Sequence, residues 1–352
     1  MRGKNAPDSL LPAQVESEEE LEELMTRPTP DLTAFMKKMD SDLILLGVGG
    51  KMGPTLAKLA RRAMEEAGVK HKVIGISRFS EKDLKRELND AGVETVACDL
   101  LDENSWKNLP DAPNVIYMAG RKFGSTGDES MTWAMNTYLP ALVAKRYARS
   151  RIAAFSTGNV YPLTPISLGG SRETDAPNPV GEYAMSCLGR ERIFEHFSRT
   201  QKTAVVLIRL NYACDLRYGI LLDVAQKVHA GKPVEVTQGH VNVIWQGDAN
   251  AITLRALEMA GTPAARLNLS GPETVSIRSL AIRFGELFNR APVLSGSEAP
   301  TALLNNATQC HARFGYPQVT LEQMIRATAG WVSGGLPTLN KPTHYEARDG
   351  KF

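Results

Sequence analysis

Apolar runs of strand length alternate with helical spacings along the chain from residue 42 onward. The run Leu43-Ile44-Leu45-Leu46 predicts a buried strand, and residues 54–67 show a helical periodicity that ends before Gly68. Further short apolar runs predict strands at residues 72–77, 95–98, 114–118, 152–155 and 205–210, with helical stretches between them. Because strand–helix alternation of this kind builds parallel sheets covered by helices on both faces, the pattern predicts an α/β fold with a doubly wound parallel sheet.

The N-terminal residues 1–40 stand outside this alternation and predict a helical extension. Ser17 followed by three glutamates has the form of a helix N-terminus, and Asp31 is placed to cap a second short helix through Met39. Because chain termini generally lie on the surface, packing of this extension on the main domain is favoured over a role as a partner-binding arm.

The alternation also weakens after residue 210, where proline, glycine and short apolar runs dominate. Residues 41–210 are therefore interpreted as the domain that carries the parallel sheet. Residues 211–335 are interpreted as a smaller mixed α/β domain, interleaved with the end of the sheet, and residues 336–352 as a tail that crosses the surface.

A glycine-rich loop links the first predicted strand to the helix that follows it. Gly47, Gly50 and Gly53 fit the spacing GxxGxxG, whereas GxGxxG fails because Met52 stands at its third glycine position. One glycine makes the tight turn out of the strand, another lets the backbone approach a pyrophosphate, and the third lets the helix pack closely on the sheet. In this context the loop, including Lys51, predicts a dinucleotide site in a Rossmann-type domain rather than a plain turn.

The end of the second predicted strand bears on which dinucleotide binds. Sites that prefer NAD commonly place an acid there for the ribose 2′-hydroxyl, but this strand ends in Ser77 and Arg78. A guanidinium matches the geometry of a 2′-phosphate, so NADP is favoured over NAD, with a solvated Arg78 as the alternative. Asp99 and Leu100, which follow the third strand, are expected to meet the adenine.

Further segments together resemble the extended short-chain dehydrogenase/reductase superfamily, and within it the NAD-dependent epimerase/dehydratase family. The resemblance covers roughly residues 42–335 and implies a cofactor that passes Ala119 and Gly120, with residues 211–335 mainly on the substrate side. Besides the glycine loop, the segments that carry it are Tyr117-Met118-Ala119-Gly120, Asn136, Phe155-Ser156-Thr157-Gly158-Asn159-Val160-Tyr161, Tyr183-Ala184-Met185-Ser186, Gly247-Asp248-Ala249 and Asn268-Leu269-Ser270-Gly271.

The resemblance also implies a catalytic tyrosine, a hydroxyl partner and, one helical turn after the tyrosine, a lysine. Tyr183 matches the tyrosine that exchanges a proton with a substrate oxygen, and Thr157 matches the partner that hydrogen-bonds the same oxygen. The position of the lysine in YxxxK is Cys187, which departs from the family pattern. Since a tyrosine has an ordinary pKa of about 10, it needs an adjacent cation to ionise at neutral pH. A thiol offers the cofactor ribose only a weak hydrogen bond.

Three explanations for the missing lysine stay open at this stage. Another cation replaces it, either Lys122 after the fourth strand or Arg190 further along the helix of the tyrosine. Alternatively, Tyr183 stays neutral and acts as an acid or a hydrogen-bond donor. In the third explanation the protein binds cofactor without turnover. Cys187 itself is interpreted as a small buried helix residue rather than a nucleophile.

Two functional hypotheses follow. The first is an NAD(P)-dependent oxidoreductase or epimerase acting on a hydroxyl or ketone of a carbohydrate-like small molecule, and the second is an NAD(P)-binding sensor or scaffold with little catalysis. The presence of Tyr183 and Thr157 at the two matching catalytic positions favours the enzyme hypothesis. Asn211 and Tyr212 are expected to contact substrate, although a plain strand end explains them equally well. Tyr212-Ala213-Cys214 departs from the Tyr-Gly-Pro of relatives that bind nucleotide sugars, which weakens that substrate class.

Composition narrows the remaining possibilities. The chain is 43% hydrophobic and 23% charged with a net charge of +2, and its scattered basic residues give no basis for nucleic-acid binding. No apolar run approaches the roughly 20 residues that span a bilayer, and no signal-peptide core is evident, so a soluble cytoplasmic protein without a membrane partner is predicted. Because the spacing of the cysteines fits no metal cluster, no metal is expected, and a homodimer is one hypothesis for the assembly. The four cysteines are Cys98, Cys187, Cys214 and Cys310.

Overall fold

Seven parallel strands form the central sheet of this protein, whose computed structural model describes residues 10–81, 83–122, 127–341 and 343–351 apart from the side chain of Asn108. The strands are β1 (Leu43–Leu46), β2 (Val73–Ser77), β3 (Glu94–Ala97), β4 (Asn114–Tyr117), β5 (Arg151–Thr157), β6 (Ala204–Leu210) and β7 (Ala265–Leu269). Their spatial order is β7-β6-β5-β4-β1-β2-β3, and every neighbouring pair is parallel. The predicted Rossmann-type doubly wound fold is therefore confirmed.

Helices cover both faces of this sheet, which explains why β1 reads as an uninterrupted apolar run with every residue buried. The helices are α1 (Glu18–Met25), α2 (Pro30–Met36), α3 (Gly53–Glu66), α4 (Leu84–Asp90), α5 (Glu129–Trp133), α6 (Leu139–Arg146), α7 (Gly181–Gln201), α8 (Ile220–His229), α9 (Gln246–Arg255), α10 (Ile277–Phe288), α11 (Thr308–Phe314) and α12 (Leu321–Ser333). A π-helical turn at Ala134–Tyr138 joins α5 to α6, and 3₁₀ turns lie at Glu103–Asn108, Gly158–Val160, Ile166–Leu168 and Ala256–Met259.

The N-terminal helices pack on α3 and α9. Ser17 caps α1 as expected, and its hydroxyl accepts a hydrogen bond from the backbone of Glu20 at 3.2 Å. The expected cap at Asp31 is wrong, because α2 begins one residue earlier at Pro30 and Thr29 is its N-cap. Proline suits the first helical position, where its missing N–H costs no hydrogen bond, and this moves the cap to the preceding residue.

The chain beyond β6 builds a second apolar cluster around α8, α10 and α12, and its strand β7 returns to the edge of the main sheet. Short strand pairs complete this part: Ala213–Cys214 with Ile244–Trp245, Val234–Glu235 with Leu294–Ser295, His240–Val241 with Val275–Ser276, and Thr164–Pro165 with Thr301–Ala302.

The tail lies across these elements. The side chain and backbone of Thr343 donate to Asp223, and the Tyr345 hydroxyl donates to the Glu235 carbonyl at 3.1 Å. None of the helices in the described part of the chain combines the length and apolar character needed to cross a bilayer.

Candidate functional site

The strand order reverses at β1, because the chain runs from β1 to β2 and β3 on one side and returns to β4 on the other. In doubly wound sheets the carboxyl ends of the strands at such a point border a crevice that binds ligands. Here the crevice contains two adjoining cavities. Cavity A, of about 570 Å³, lies beside Gly47 and Arg78, and cavity B, of about 400 Å³, lies beside Thr157 and Tyr183. Since both cavities share the walls Gly50, Met118, Gly120 and Arg121, they form one continuous groove.

The structure brings most of the sequence-predicted site residues to this groove. Those lining cavity A are Gly47, Gly50, Ser77, Arg78, Asp99, Leu100, Ala119 and Gly120. Those lining cavity B are Gly50, Lys51, Met52, Gly120, Lys122, Thr157, Tyr183, Arg190, Asn211 and Tyr212. Gly53 and Cys187 line neither cavity.

The three motif glycines meet different demands. Gly47 has φ of +92°, and a Cβ there would lie 2.6 Å from the backbone nitrogen of Ala119. A Cβ at Gly53 would overlap the backbone of Val48, so this glycine permits close packing of α3. At Gly50 the nearest atom to a Cβ is the Gly47 carbonyl oxygen, at an ordinary 3.5 Å. The packing of the protein does not require glycine at position 50, and a side chain there would enter the groove, which fits the close approach of a pyrophosphate.

The first turn of α3 continues this surface. In the described structure no side chain caps α3, and the residues immediately before it line cavity B. A helix start with free N–H groups and a positive dipole suits a phosphate. The donor set of the glycine loop therefore fits a dinucleotide.

Cavity A receives its polar groups from the ends of β2 and β3. Arg78 is exposed at its rim, beside Ser77, and Asp99 lies in the same wall. Sequence reasoning overlooked Gly49, where a Cβ would collide with the Ser77 hydroxyl and displace it. The only sequence signal for that contact was the extra glycine in the loop.

Tyr183 and Thr157 meet in cavity B because the first turn of α7 lies against the carboxyl end of β5. The side chains of Thr157 and Cys187 lie beside the Tyr183 hydroxyl. Burial raises the pKa of Tyr183 far above its ordinary value, and the neighbouring Cys187 raises it further, whereas Arg190 and Thr157 act in the opposite direction. Tyr183 is therefore a neutral phenol at neutral pH.

Cys187 occupies a different place from the one expected for a residue that touches the cofactor. It is fully buried behind the cavity wall, in a small cluster with Val160 and Tyr161. Burial raises the pKa of its thiol, so it stays neutral. This contact exists because α7 packs on the 3₁₀ turn Gly158–Val160, which directs position 187 away from the groove.

Arg190, one of the two proposed substitutes for the lysine, is fixed by neutral partners. Its guanidinium donates to the Phe155 carbonyl and to the Asn136 side chain, both at 2.7 Å. Gly120 leaves room for it, since a Cβ there would lie 2.5 Å from the guanidinium. Asn136 also accepts from the Arg121 backbone N–H at 2.9 Å, so it ties the segment after β4 to α7. Arg190 thus supplies a buried positive charge that acts on Tyr183 from the wall of cavity B.

Lys122, the other candidate, lines cavity B beside the ring of Tyr183. Its Nζ lies 5.8 Å from the centroid of the Tyr183 ring, and burial lowers its pKa to about 8. Lys51 enters the same cavity from the glycine loop, with its Nζ 3.4 Å from the centroid of the Tyr218 ring. Burial, and then the charge of Lys122, lower the pKa of Lys51 to about 7.

Residues from distant parts of the chain complete cavity B. Asn211 and Tyr212 follow β6 as expected, and Tyr212 adopts a positive φ of 42° that turns the chain at the cavity wall. Sequence reasoning missed the contributions of Tyr218, Gln246 and Thr343. No motif marks these positions, because the fold alone brings the chain before α8, the start of α9 and the tail to the groove.

The chain belongs to the NAD dependent epimerase/dehydratase family, whose model matches residues 43–260. No curated protein sequence matches the chain. Among solved structures, it resembles the UDP-glucose 4-epimerase of Thermus thermophilus in complex with NAD, with 18% identity, a TM-score of 0.68, and coverage of 84% of this chain and 100% of that one.

Two further solved structures share the fold. The UDP-glucose 4-epimerase of Thermotoga maritima, with UDP-glucose, is 16% identical over 84% of this chain and 99% of its own, with a TM-score of 0.66. The UDP-glucuronic acid 4-epimerase of Bacillus cereus, in complex with NAD, is 16% identical over 83% of this chain and 98% of its own, with a TM-score of 0.68. At these identities the likeness establishes the fold.

Proposed function

We propose that the protein is an NAD(P)-dependent oxidoreductase or epimerase that acts on a hydroxyl or ketone of a carbohydrate-like small molecule. The observation that carries this proposal is the meeting of Tyr183 and Thr157 in cavity B, which is continuous with the groove of the glycine loop. Family membership and the NAD bound by structural neighbours support the same conclusion.

The cofactor would be held by the glycine loop and by the polar rim of cavity A. Gly50 leaves its backbone open to the pyrophosphate, Ser77 and Arg78 would meet the adenosine ribose, and Ala119 and Gly120 would border the path to cavity B. When bound, the nicotinamide supplies hydride transfer. The exposed guanidinium of Arg78 supports NADP as the preferred cofactor, because it suits a 2′-phosphate.

In this proposal Tyr183 works as a neutral acid or hydrogen-bond donor toward the substrate oxygen, and Thr157 orients it. Its raised pKa keeps the phenol protonated, so it can donate a hydrogen bond to a substrate carbonyl, and transfer of its proton during reduction of a ketone would depend on cations that stabilise the phenolate. Lys122, above the Tyr183 ring, and Arg190, behind it, would together stabilise negative charge that develops on the phenol oxygen.

A second candidate function is cofactor binding without turnover, as in a sensor or scaffold. The observation that favours it is the neutral Cys187 at the position where the family pattern has a lysine. In that case Tyr183 and Thr157 would serve only to orient a bound ligand.

The test combines a cofactor titration with turnover measurements. Tryptophan fluorescence with NADH and NADPH measures binding, and a panel of sugars, sugar acids and small ketones measures turnover. For the enzyme, Tyr183→Phe should lower turnover by roughly 10² to 10⁴-fold with little change in cofactor affinity. The control is Tyr138→Phe, at an exposed tyrosine outside both cavities. Failure to bind either cofactor would contradict the proposal, and full turnover by Tyr183→Phe would contradict the assignment of the tyrosine.

A further inference from the structure

Cavity B collects positive charge from separate parts of the chain. Lys51 arrives directly after Gly50 in the glycine loop, and Lys122 follows β4 on the other side of the crevice. Arg121 and Arg190 line the same cavity, whereas no carboxylate is found among the described residues of its lining. The part of the groove where Tyr183 lies therefore has an excess of cations.

The two arginines have partners that account for their positions. Arg121 pairs with Asp128 at 2.6 Å, and Arg190 donates to the Phe155 carbonyl and the Asn136 side chain. Lys51 lies over the ring of Tyr218, and Lys122 lies over the ring of Tyr183. A ring face attracts an ammonium without cancelling its charge, so these ring contacts leave the charged form of each lysine able to act on an anion in the cavity.

We propose that cavity B recognises a small hydroxy or keto acid, whose carboxylate binds between Lys51 and Lys122 while its neighbouring oxygen faces Tyr183 and Thr157. This inference rests on the proposed function and names its substrate class. Lys122 belongs both to the carboxylate site and to the surroundings of the reacting oxygen, since its ammonium lies over the ring of Tyr183. The acid group must therefore lie close to the reacting carbon, which neutral sugars do not satisfy.

The electrostatics of the two lysines agree with this assignment. Burial and mutual repulsion lower the pKa of Lys51 to about 7, and burial lowers the pKa of Lys122 to about 8. An anion between them favours the charged forms that burial disfavours, so its binding offsets the free-energy cost of burying two ammonium groups. Asp223 also favours the charged form of Lys51, but its carboxylate accepts hydrogen bonds from Thr343.

Paired ligands test the proposal. Calorimetry with the cofactor-saturated protein compares D-gluconate with D-glucitol and D-glucuronate with D-glucose, so that each acid has a neutral analogue of similar shape. We expect at least one acid to bind about tenfold or more tightly than its neutral analogue. Lys51→Met and Lys122→Met should each remove about tenfold of the acid's affinity, the usual loss for one charge-assisted hydrogen bond. Lys51→Arg should retain most of it.

The control is Lys145→Met, which removes an exposed lysine outside both cavities. The melting temperature of each variant checks its fold. A cofactor titration of each variant distinguishes a lysine that binds the acid from a lysine that binds the cofactor. Equal binding of acid and neutral analogue, binding of neither acid, or loss of cofactor affinity in place of acid affinity would each overturn the inference. Failure of the unaltered protein to bind NADH or NADPH would instead overturn the proposed function.

Discussion

At the scale of single residues, the substitution of cysteine at position 187 changes the chemistry of its neighbour. Cys187 is buried with Val160 and packs beside Tyr183, while Arg190 already places a positive charge nearby. A lysine at the same position would have to bury its ammonium close to that guanidinium. The surroundings are therefore adapted to a small neutral side chain, and the charge that acts on Tyr183 comes from other residues.

Cys187→Lys should accordingly destabilise the protein instead of restoring a conventional site. An added cation in a buried, already cationic place should lower the free energy of unfolding by about 3 kcal/mol or more. Cys187→Ala, the matched control, removes only a buried sulfur and should cost about 1 kcal/mol. Urea denaturation measures both values. If the Cys187→Lys variant were as stable as the unaltered protein, the lysine side chain would have to extend into the groove, away from the guanidinium of Arg190.

Arg78 carries the expected discrimination between cofactors. If its exposed guanidinium reads a 2′-phosphate at the rim of cavity A, Arg78→Ala should weaken NADPH binding by about tenfold or more and leave NADH binding nearly unchanged. Arg86→Ala is the control, because Arg86 is also exposed but pairs with Asp83 outside the cavity. Fluorescence titration with both cofactors provides the measurement. Equal losses for the two cofactors would mean that Arg78 does not read the phosphate.

At the scale of elements, the connection from β1 to α3 separates the needs of folding from those of binding. Gly53 is required because α3 lies directly on the Val48 backbone, whereas the space beside Gly50 is open to the groove. We therefore expect a substitution of Gly50 to impair cofactor binding and a substitution of Gly53 to impair stability, although the two glycines belong to one motif.

Gly50→Leu should abolish cofactor binding and leave the fold intact, because its side chain would occupy the groove without meeting backbone. Gly53→Ala should destabilise the protein by about 1 to 3 kcal/mol, because its Cβ would overlap Val48 and push α3 from the sheet. Thermal unfolding and NADPH titration of both variants make the comparison. If Gly50→Leu bound cofactor normally, the pyrophosphate would not approach that backbone.

Local patterns were sufficient to predict six of the seven strands of the sheet and the placement of the glycine loop, whereas β7 was missed because it lies beyond residue 210, where the alternation weakens. The apolar run of β1 and the alternation that follows it depend on burial by neighbouring helices, a demand that repeats along the sequence. The N-cap of α2 was missed because Pro30 moved it to Thr29. Tyr218 and Thr343 could not be assigned to the site, because only tertiary packing brings them to cavity B.

At the scale of the whole molecule, cavity B is an assembly of distant segments. The glycine loop supplies Lys51, the helix α7 supplies Tyr183, and the tail supplies Thr343, which is fixed to Asp223 of α8. Arg348 extends the same tail and donates to the Thr301 carbonyl at 2.7 Å. Because folding buries Lys51 and Lys122 and places Lys51 near other cations, their depressed pKa values are a property of the folded state and link stability to pH.

That linkage has a definite sign. The pKa of Lys51 falls to about 7 and that of Lys122 to about 8 in the folded protein, while an unfolded lysine has a pKa of about 10.4. Between these values the unfolded chain binds more protons, so the destabilisation from the two lysines is complete below about pH 7 and fades as pH rises. The charged and titratable groups that influence Lys51 are Lys122, Lys341 and Asp223, and the group that influences Lys122 is Cys187.

The double variant Lys51→Met/Lys122→Met should therefore be more stable than the unaltered protein at about pH 6, and the difference should shrink toward about pH 9. After allowance for solvent screening we expect the difference to fall by about 1 to 2 kcal/mol over this range. Urea denaturation of both proteins at each pH gives the difference directly, and Lys145→Met controls for the loss of an exposed lysine. A difference that stays constant from about pH 6 to pH 9 would show that the two ammonium groups keep ordinary pKa values. In that case cavity B would be open to solvent, and the free energy attributed to anion binding would not be stored there.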